Sequence, residues 1–170
     1  ALANQATNHL LGGLVPSRLG NAHPNIVPYQ VFPAADGHVV IACGNDRQFA
    51  ALCRALDLAD LAGQPDFTTN GARVAHRDRL VALMEAATRQ RSRAALIEAL
   101  TAAGVPCGPI NQVHEALADP QTVARELVIA PEGIAGLRTP LRFSRSPLAL
   151  DRASPLLGDG RWQFGDMPRA

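Results

Sequence analysis

The sequence predicts an α+β fold, and three observations carry that reading. Two β-rich runs, Tyr29–Phe32 and His38–Cys43, are joined through Ala34-Ala35-Asp36-Gly37, where Asp-Gly supplies a turn that tolerates positive φ. Helical patterns with capping residues follow directly. After Leu127 the texture changes again, to short apolar pieces separated by Pro and Gly. With 170 residues, 47% of them hydrophobic, the chain can bury one core, or one core plus an appendage that belongs to a larger body.

Each element has its own local reason. Leu2, Ala6, His9 and Leu10 share a helical face that Gly12-Gly13 ends, and the opening ALANQ supplies no cap, so the segment reads as the tail of a helix already under way. Three prolines between Leu14 and Pro28 make a linker or a shaped loop. Asn45 precedes Gln48 by three positions, a capping-box spacing, and Phe49, Leu52, Cys53 and Leu56 recur at 3.6-residue intervals. A helix over about 46–57 follows. Pro65 keeps Leu58–Asn70 irregular. The next helix begins near Asn70 or Gly71, with Leu80, Leu83, Met84 and Ala87 as its buried stripe and Arg73, Arg77 and Arg79 directed to water.

Ser92 caps a further helix whose face is Ala95, Leu96, Ala99, Leu100 and Ala103, and Gly104 stops it. Val105-Pro106-Cys107-Gly108-Pro109 cannot continue that helix. A short helix over 111–117 comes next, and Asp119-Pro120 then places an N-cap beside a proline at the first helical position. Val123 and Leu127 anchor this last helix. Val128-Ile129-Ala130, Leu137 and Leu141–Phe143 read as short strands, and Asp151–Ala170 as an extended tail resting on another surface.

Composition excludes several functions. The net charge of +1 gives no electrostatic reason to expect nucleic acid or an acidic membrane as partner. All sixteen basic residues are Arg, which rules out a Schiff-base lysine or a P-loop lysine within the chain. Three widely spaced cysteines, Cys43, Cys53 and Cys107, fit neither a disulfide framework nor a metal pair, so a reducing, cytoplasmic setting is expected. No apolar run approaches the ~20 residues of a membrane span. His9, His38, His76, His114 and Glu115 have no metal-ligand spacing, and no glycine-rich phosphate loop, HExxH or GxSxG is present.

Few residues remain as candidates for chemistry. Asp46 lies at a helix start, where backbone amides and the dipole stabilise a carboxylate; it is a capping acid unless that helix start faces a substrate. His23, in Gly20-Asn21-Ala22-His23-Pro24-Asn25, has the chemistry of an acid or base but no carboxylate beside it in sequence. Cys107, after a helix C-terminus, is expected to be buried and inert. Arg89-Gln90-Arg91-Ser92-Arg93 could hold a phosphate, but with Glu85 and Glu98 nearby it reads as a solvated helix junction.

The run GNAHPNIVPYQVFPAADGHVVIACGNDRQF at 20–49 resembles the small-domain entry of class III CoA-transferases, the CaiB/BaiF family that includes formyl-CoA transferases. AGVPCGPI at 103–110, ADPQTVARE at 118–126, TPLRFSRSP at 139–147 and SPLLGDG at 154–160 agree with it in order. The resemblance implies a small α+β domain over 24–130. Residues 1–23 would end a helix of a Rossmann-like large domain and link out of it, and 131–170 would return to it. It implies an interlocked homodimer acting on acyl-CoA and a small carboxylate, with CoA as substrate and no tightly bound cofactor. The family's nucleophilic aspartate maps upstream of Ala1, so no catalytic residue is assigned here and the isolated chain is expected to be inactive.

His23, Pro24 and Asn25 match the loop that closes over the thioester in formyl-CoA transferases, with His-Pro-Asn-Ile-Val-Pro in place of its glycines. In the related racemases an acid near Asp46 orients a catalytic histidine, although Asn45-Asp46-Arg47-Gln48 is more like the transferases. An acyl-CoA racemase and a non-catalytic dimerisation module are the alternatives.

Overall fold

The hairpin around Gly37 organises the fold. In a computed structural model, which describes residues 2–155 and Leu157, β1 (Tyr29–Ala34) and β2 (Gly37–Ala42) pair antiparallel from Tyr29↔Ala42 to Ala34↔Gly37. Gly37 alone takes the positive φ, at 152°, and a Cβ there would lie 2.9 Å from the Arg93 side chain. Asp36 does different work: its Oδ1 accepts the Arg93 N–H at 2.7 Å and ties the turn to a helix start.

A third strand, β3 (Cys107–Pro109), adds to the other edge of β2, giving the order β1-β2-β3. Sequence reasoning read this stretch only as a helix stop. The Pro106-Cys107-Gly108-Pro109 run has little strand propensity of its own, and the free edge of β2 orders it: Ala42 donates to the Pro106 carbonyl and Ile110 to the His38 carbonyl, both bracketing the strand.

The chain forms two units, one ending at Ile110 and the other starting at Asn111. In the first, α1 (Ala3–Gly12) has no side-chain N-cap and ends on Gly13 in the left-handed region. Helices α2 (Asp46–Ala55), α4 (Arg77–Thr88) and α5 (Arg93–Ala102) surround one face of the sheet. Phe32, Val39 and Ile41 from the strands meet Phe49, Leu52, Leu80, Met84, Leu96 and Leu100 from the helices. Each fully buried side chain of this size contributes about 1.5–3 kcal/mol.

The expected caps form with one shift. Asn45 Oδ1 accepts the Gln48 N–H at 2.9 Å, but Gln48 Oε1 returns to Gly44 N–H at 2.8 Å rather than to Asn45. Ser92 accepts from Ala95 and opens α5. The single helix expected from Asn70 divides into α3 (Asn70–Ala75) and α4, because His76 (φ −111°, ψ 28°) leaves the helical region and its Nδ1 donates to the Ala72 carbonyl. Leu83 is exposed, so the buried stripe of α4 is Leu80 and Met84 with Ala87 beside them. A short 3-10 turn, Ala59–Gly63, interrupts the stretch before Pro65.

The second unit contains α6 (Val113–Ala118), α7 (Pro120–Ala124) and a small hairpin of β4 (Val128–Ile129) and β5 (Gly136–Leu137). Asp119 Oδ1 accepts the Gln121 N–H at 2.8 Å with Pro120 at the first helical position, as its sequence predicts. Val123, expected as an anchor, is exposed, and only Leu127 is half-buried. Leu141–Phe143 is not a strand. Among the described residues of this unit none is buried, because its elements are too short to enclose one another. Most of the tail expected over Asp151–Ala170 lies outside the described residues.

Candidate active-site loop

The segment before β1 is held by side chains rather than by secondary structure. Asn21 Oδ1 accepts the Val31 N–H at 2.8 Å, and His23 N–H donates to the Tyr29 carbonyl at 2.9 Å, so the loop closes on its own strand. From outside, three side chains at 70, 73 and 77 grip it. Asn70 donates to the Asn25 carbonyl at 2.7 Å and accepts from Val27 N–H at 3.1 Å, replacing the ladder bonds that an irregular segment lacks. Arg77 Nη2 donates to both the His23 and the Pro24 carbonyls at 2.8 Å.

Arg73 is the centre of this arrangement. The sequence assigned it to water, yet it is fully buried. A guanidinium is tolerated there because every edge of its fork is used: Nε on the Val27 carbonyl at 2.7 Å, Nη1 on the Phe67 carbonyl at 3.0 Å and Nη2 on Asp46 Oδ1 at 2.8 Å. Its flat face lies 4.4 Å from the Phe49 ring centroid. Arg79, by contrast, is exposed and pairs with Asp66.

The candidate residues from the sequence are connected without all touching. Asp46 sits in the first turn of α2 with its side chain 57% exposed, and its carboxylate is the counter-ion of Arg73. His23 is half-buried, stacks on Tyr29 with centroids 5.3 Å apart, and accepts the Asn25 N–H on Nδ1 at 3.1 Å. The link between them runs through Val27 and Arg73. Asn25 also exchanges hydrogen bonds with Asn8 at 2.9 and 3.1 Å, which fastens α1 to the loop. Beside that junction lies a depression of about 200 Å³ lined by Asn8, Leu14, Val15, Pro24 and Asn25 among others.

Other candidates separate from the site. Arg89 pairs with Glu85, Arg91 with Asp57 and the Ala55 carbonyl, and Arg93 Nη1 reaches the Ile110 carbonyl, so the basic run is tied to the protein itself. Burial pushes the Cys43 and Cys53 thiols up to about 11. Cys107 is half-buried rather than buried. Among the described residues no three His, Cys, Asp or Glu side chains gather as a metal site.

Sequence reasoning missed Asn70, Arg73 and Arg77 as a unit. The sequence marks Asn70 only as a helix start and directs Arg73 and Arg77 to water, although the spacing puts all three on one helical side; the polar loop at 21–28 that needs partners is the available signal.

A family model described as "CoA-transferase family III" matches residues 1–161. The chain belongs to CoA-transferase family III. It is 44% identical over 167 residues to a succinate–glutarate CoA-transferase of Agrobacterium fabrum, covering 95% of this chain and 42% of the relative. Human succinyl-CoA:glutarate CoA-transferase is 34% identical over 92% of this chain and 37% of its own length. The crystal structure of a CaiB/BaiF family protein from Brucella suis superposes with a TM-score of 0.81 at 52% identity, covering 91% of this chain and 41% of that one. The chain thus spans about two fifths of the length of these family III relatives. The α+β class read from the sequence agrees with that neighbour.

Proposed function

We propose that this chain is part of a longer class III CoA-transferase that moves CoA between acyl-CoA thioesters and carboxylic acids, with short dicarboxylates as donor and acceptor. The observation that carries this is the 44% identity across 95% of the chain to a relative named for succinate and glutarate. In the proposed reaction an aspartate upstream of Ala1 attacks the thioester carbonyl, expels CoA as thiolate and becomes a mixed anhydride. The thiolate then attacks the aspartyl carbonyl and releases the donor carboxylate. The acceptor carboxylate reverses both steps on the aspartyl-CoA thioester, regenerating the aspartate.

In this reading His23, Pro24, Asn25 and the helix start at Asp46 face the acyl-CoA, and the subunits form an interlocked cytoplasmic homodimer. The side-chain clamp on residues 23–27 supports the loop's role, since an ordered cover excludes water from an anhydride. The Asp46 carboxylate is paired with Arg73, and the histidine that the racemase alternative requires would also lie upstream of Ala1. No helix among the described residues is long and apolar enough to cross a membrane.

The test uses the full-length parent, incubated with succinyl-CoA, quenched with borohydride and mapped by mass spectrometry, with a parallel incubation in heavy water. A reduced aspartate upstream of Ala1 is the expected result. Deuterium at the α-carbon without an adduct would overturn the transferase reading in favour of the racemase.

A further inference from the structure

We infer that His23 serves the proposed reaction as a fixed hydrogen-bond donor through Nε2, directed at an oxygen of the acyl substrate, and not as a general acid or base. The inference rests on the transferase reading for the identity of that oxygen. Its geometric part stands on the loop alone.

A backbone N–H can only donate, so the 3.1 Å bond from Asn25 N–H makes His23 Nδ1 an acceptor and leaves the ring proton on Nε2. Two other contacts hold this arrangement. Arg77 Nη2 takes the carbonyls of His23 and Pro24, each at 2.8 Å, which turns the Pro24–Asn25 peptide so that its N–H faces the ring. Tyr29 stacks on the imidazole with an interplanar angle of 16°, fixing the ring plane. Asn70 holds the next carbonyl, that of Asn25, at 2.7 Å. Arg77 and Asn25 are therefore positioning residues.

The same geometry argues against proton transfer. A general base needs a bare Nε2, which places the proton on Nδ1, against the Asn25 N–H. Among the described residues none hydrogen-bonds Nε2, and the atom is not among the buried unpaired ones, so its N–H is open to a ligand. A preset donor of this kind is what an acyl oxygen acquiring negative charge requires. It also supplies what the loop otherwise lacks, because the His23, Asn25 and Val27 amides are taken by the Tyr29 carbonyl, the His23 ring and Asn70, and Pro24 has none.

The test compares His23→Gln, His23→Asn and His23→Ala in the full-length parent. Gln carries its amide donor at about the reach of Nε2, whereas Asn reaches only as far as Nδ1. Two measurements are made: CoA transfer from succinyl-CoA to glutarate, and binding of a succinyl-CoA analogue with a methylene in place of the thioester sulfur. Expected are near-wild-type binding and kcat within about fivefold for Gln, with Asn and Ala binding about three- to tenfold more weakly and kcat about a hundredfold lower.

Rescue by Asn but not Gln would overturn the inference and make His23 a purely structural partner of Asn25. Loss of kcat in all three with binding unchanged would overturn it in favour of proton transfer, and wild-type behaviour of the Ala variant would also overturn it. A parent that binds the analogue with the Gln-rescued pattern yet transfers no CoA would refute the transferase reading and leave the donor assignment standing.

Discussion

The two units of the chain solve the problem of burial differently. The first has a three-stranded sheet with helices long enough to cover it, and it encloses Phe32, Phe49, Phe67, Leu96 and Leu100 together with a charged Arg73. The second, built from helices of five and six residues and strands of two, buries none of its described side chains and leaves Val113, Val123, Leu137 and Phe143 exposed. Apolar content alone does not make a core. An element must be long enough to present a face and have a partner that covers it.

The largest expected effect falls on the charged centre of the first unit. Arg73→Ala leaves the Val27 and Phe67 carbonyls and Asp46 without their donor, and costs about 5 kcal/mol. Chemical denaturation should show the first unit largely lost, and a variant with a wild-type midpoint would refute the clamp. Leu100→Ala, which opens a cavity between α5 and the sheet, costs about 3 kcal/mol in the same measurement. Asn70→Ala removes two loop bonds and costs about 1–2 kcal/mol, with hydrogen exchange accelerated at Val27 and little changed in α5.

Alkaline titration probes the same core more gently. The Cys43 and Cys53 thiols are raised from 9.0 to about 11, so above pH 9 the unfolded chain loses these protons first. Stability is full below pH 9 and falls by about 1 kcal/mol per pH unit for each thiol as pH rises towards 11. Flat stability over that window would show that these thiols are hydrated. The smallest effect is in the second unit: Phe143→Ala, at a side chain 58% exposed, changes the stability of the isolated chain by less than about 0.5 kcal/mol. If 131–170 packs on a large domain, as the family reading proposes, the same substitution costs more than about 1 kcal/mol in the full-length parent. Equal effects in both would remove that support.

Much of the fold was legible because its signals are local. Asn45, Ser92 and Asp119 cap their own helices within three residues, and Gly37 turns its own hairpin. The site was legible only as a place. The polar loop at 21–28 and Asp46 were marked by type and position, whereas Asn70, Arg73 and Arg77 lie more than forty residues beyond the loop carbonyls they bind.

By itself the sequence determined the helix caps, the hairpin, the apolar stripe of α2, the Leu96 and Leu100 core of α5 but not Ala95, which is exposed, and, through its ordered motifs, the family. Only the tertiary structure decided that Cys107–Pro109 becomes a strand, that Arg73 is buried as the partner of Asp46, and that Arg77 holds the carbonyls of His23 and Pro24. The reason is physical. Caps and periodicity depend on neighbours a few residues away, but a buried charge, an edge strand and a clamped loop depend on which distant groups the folded chain brings to them.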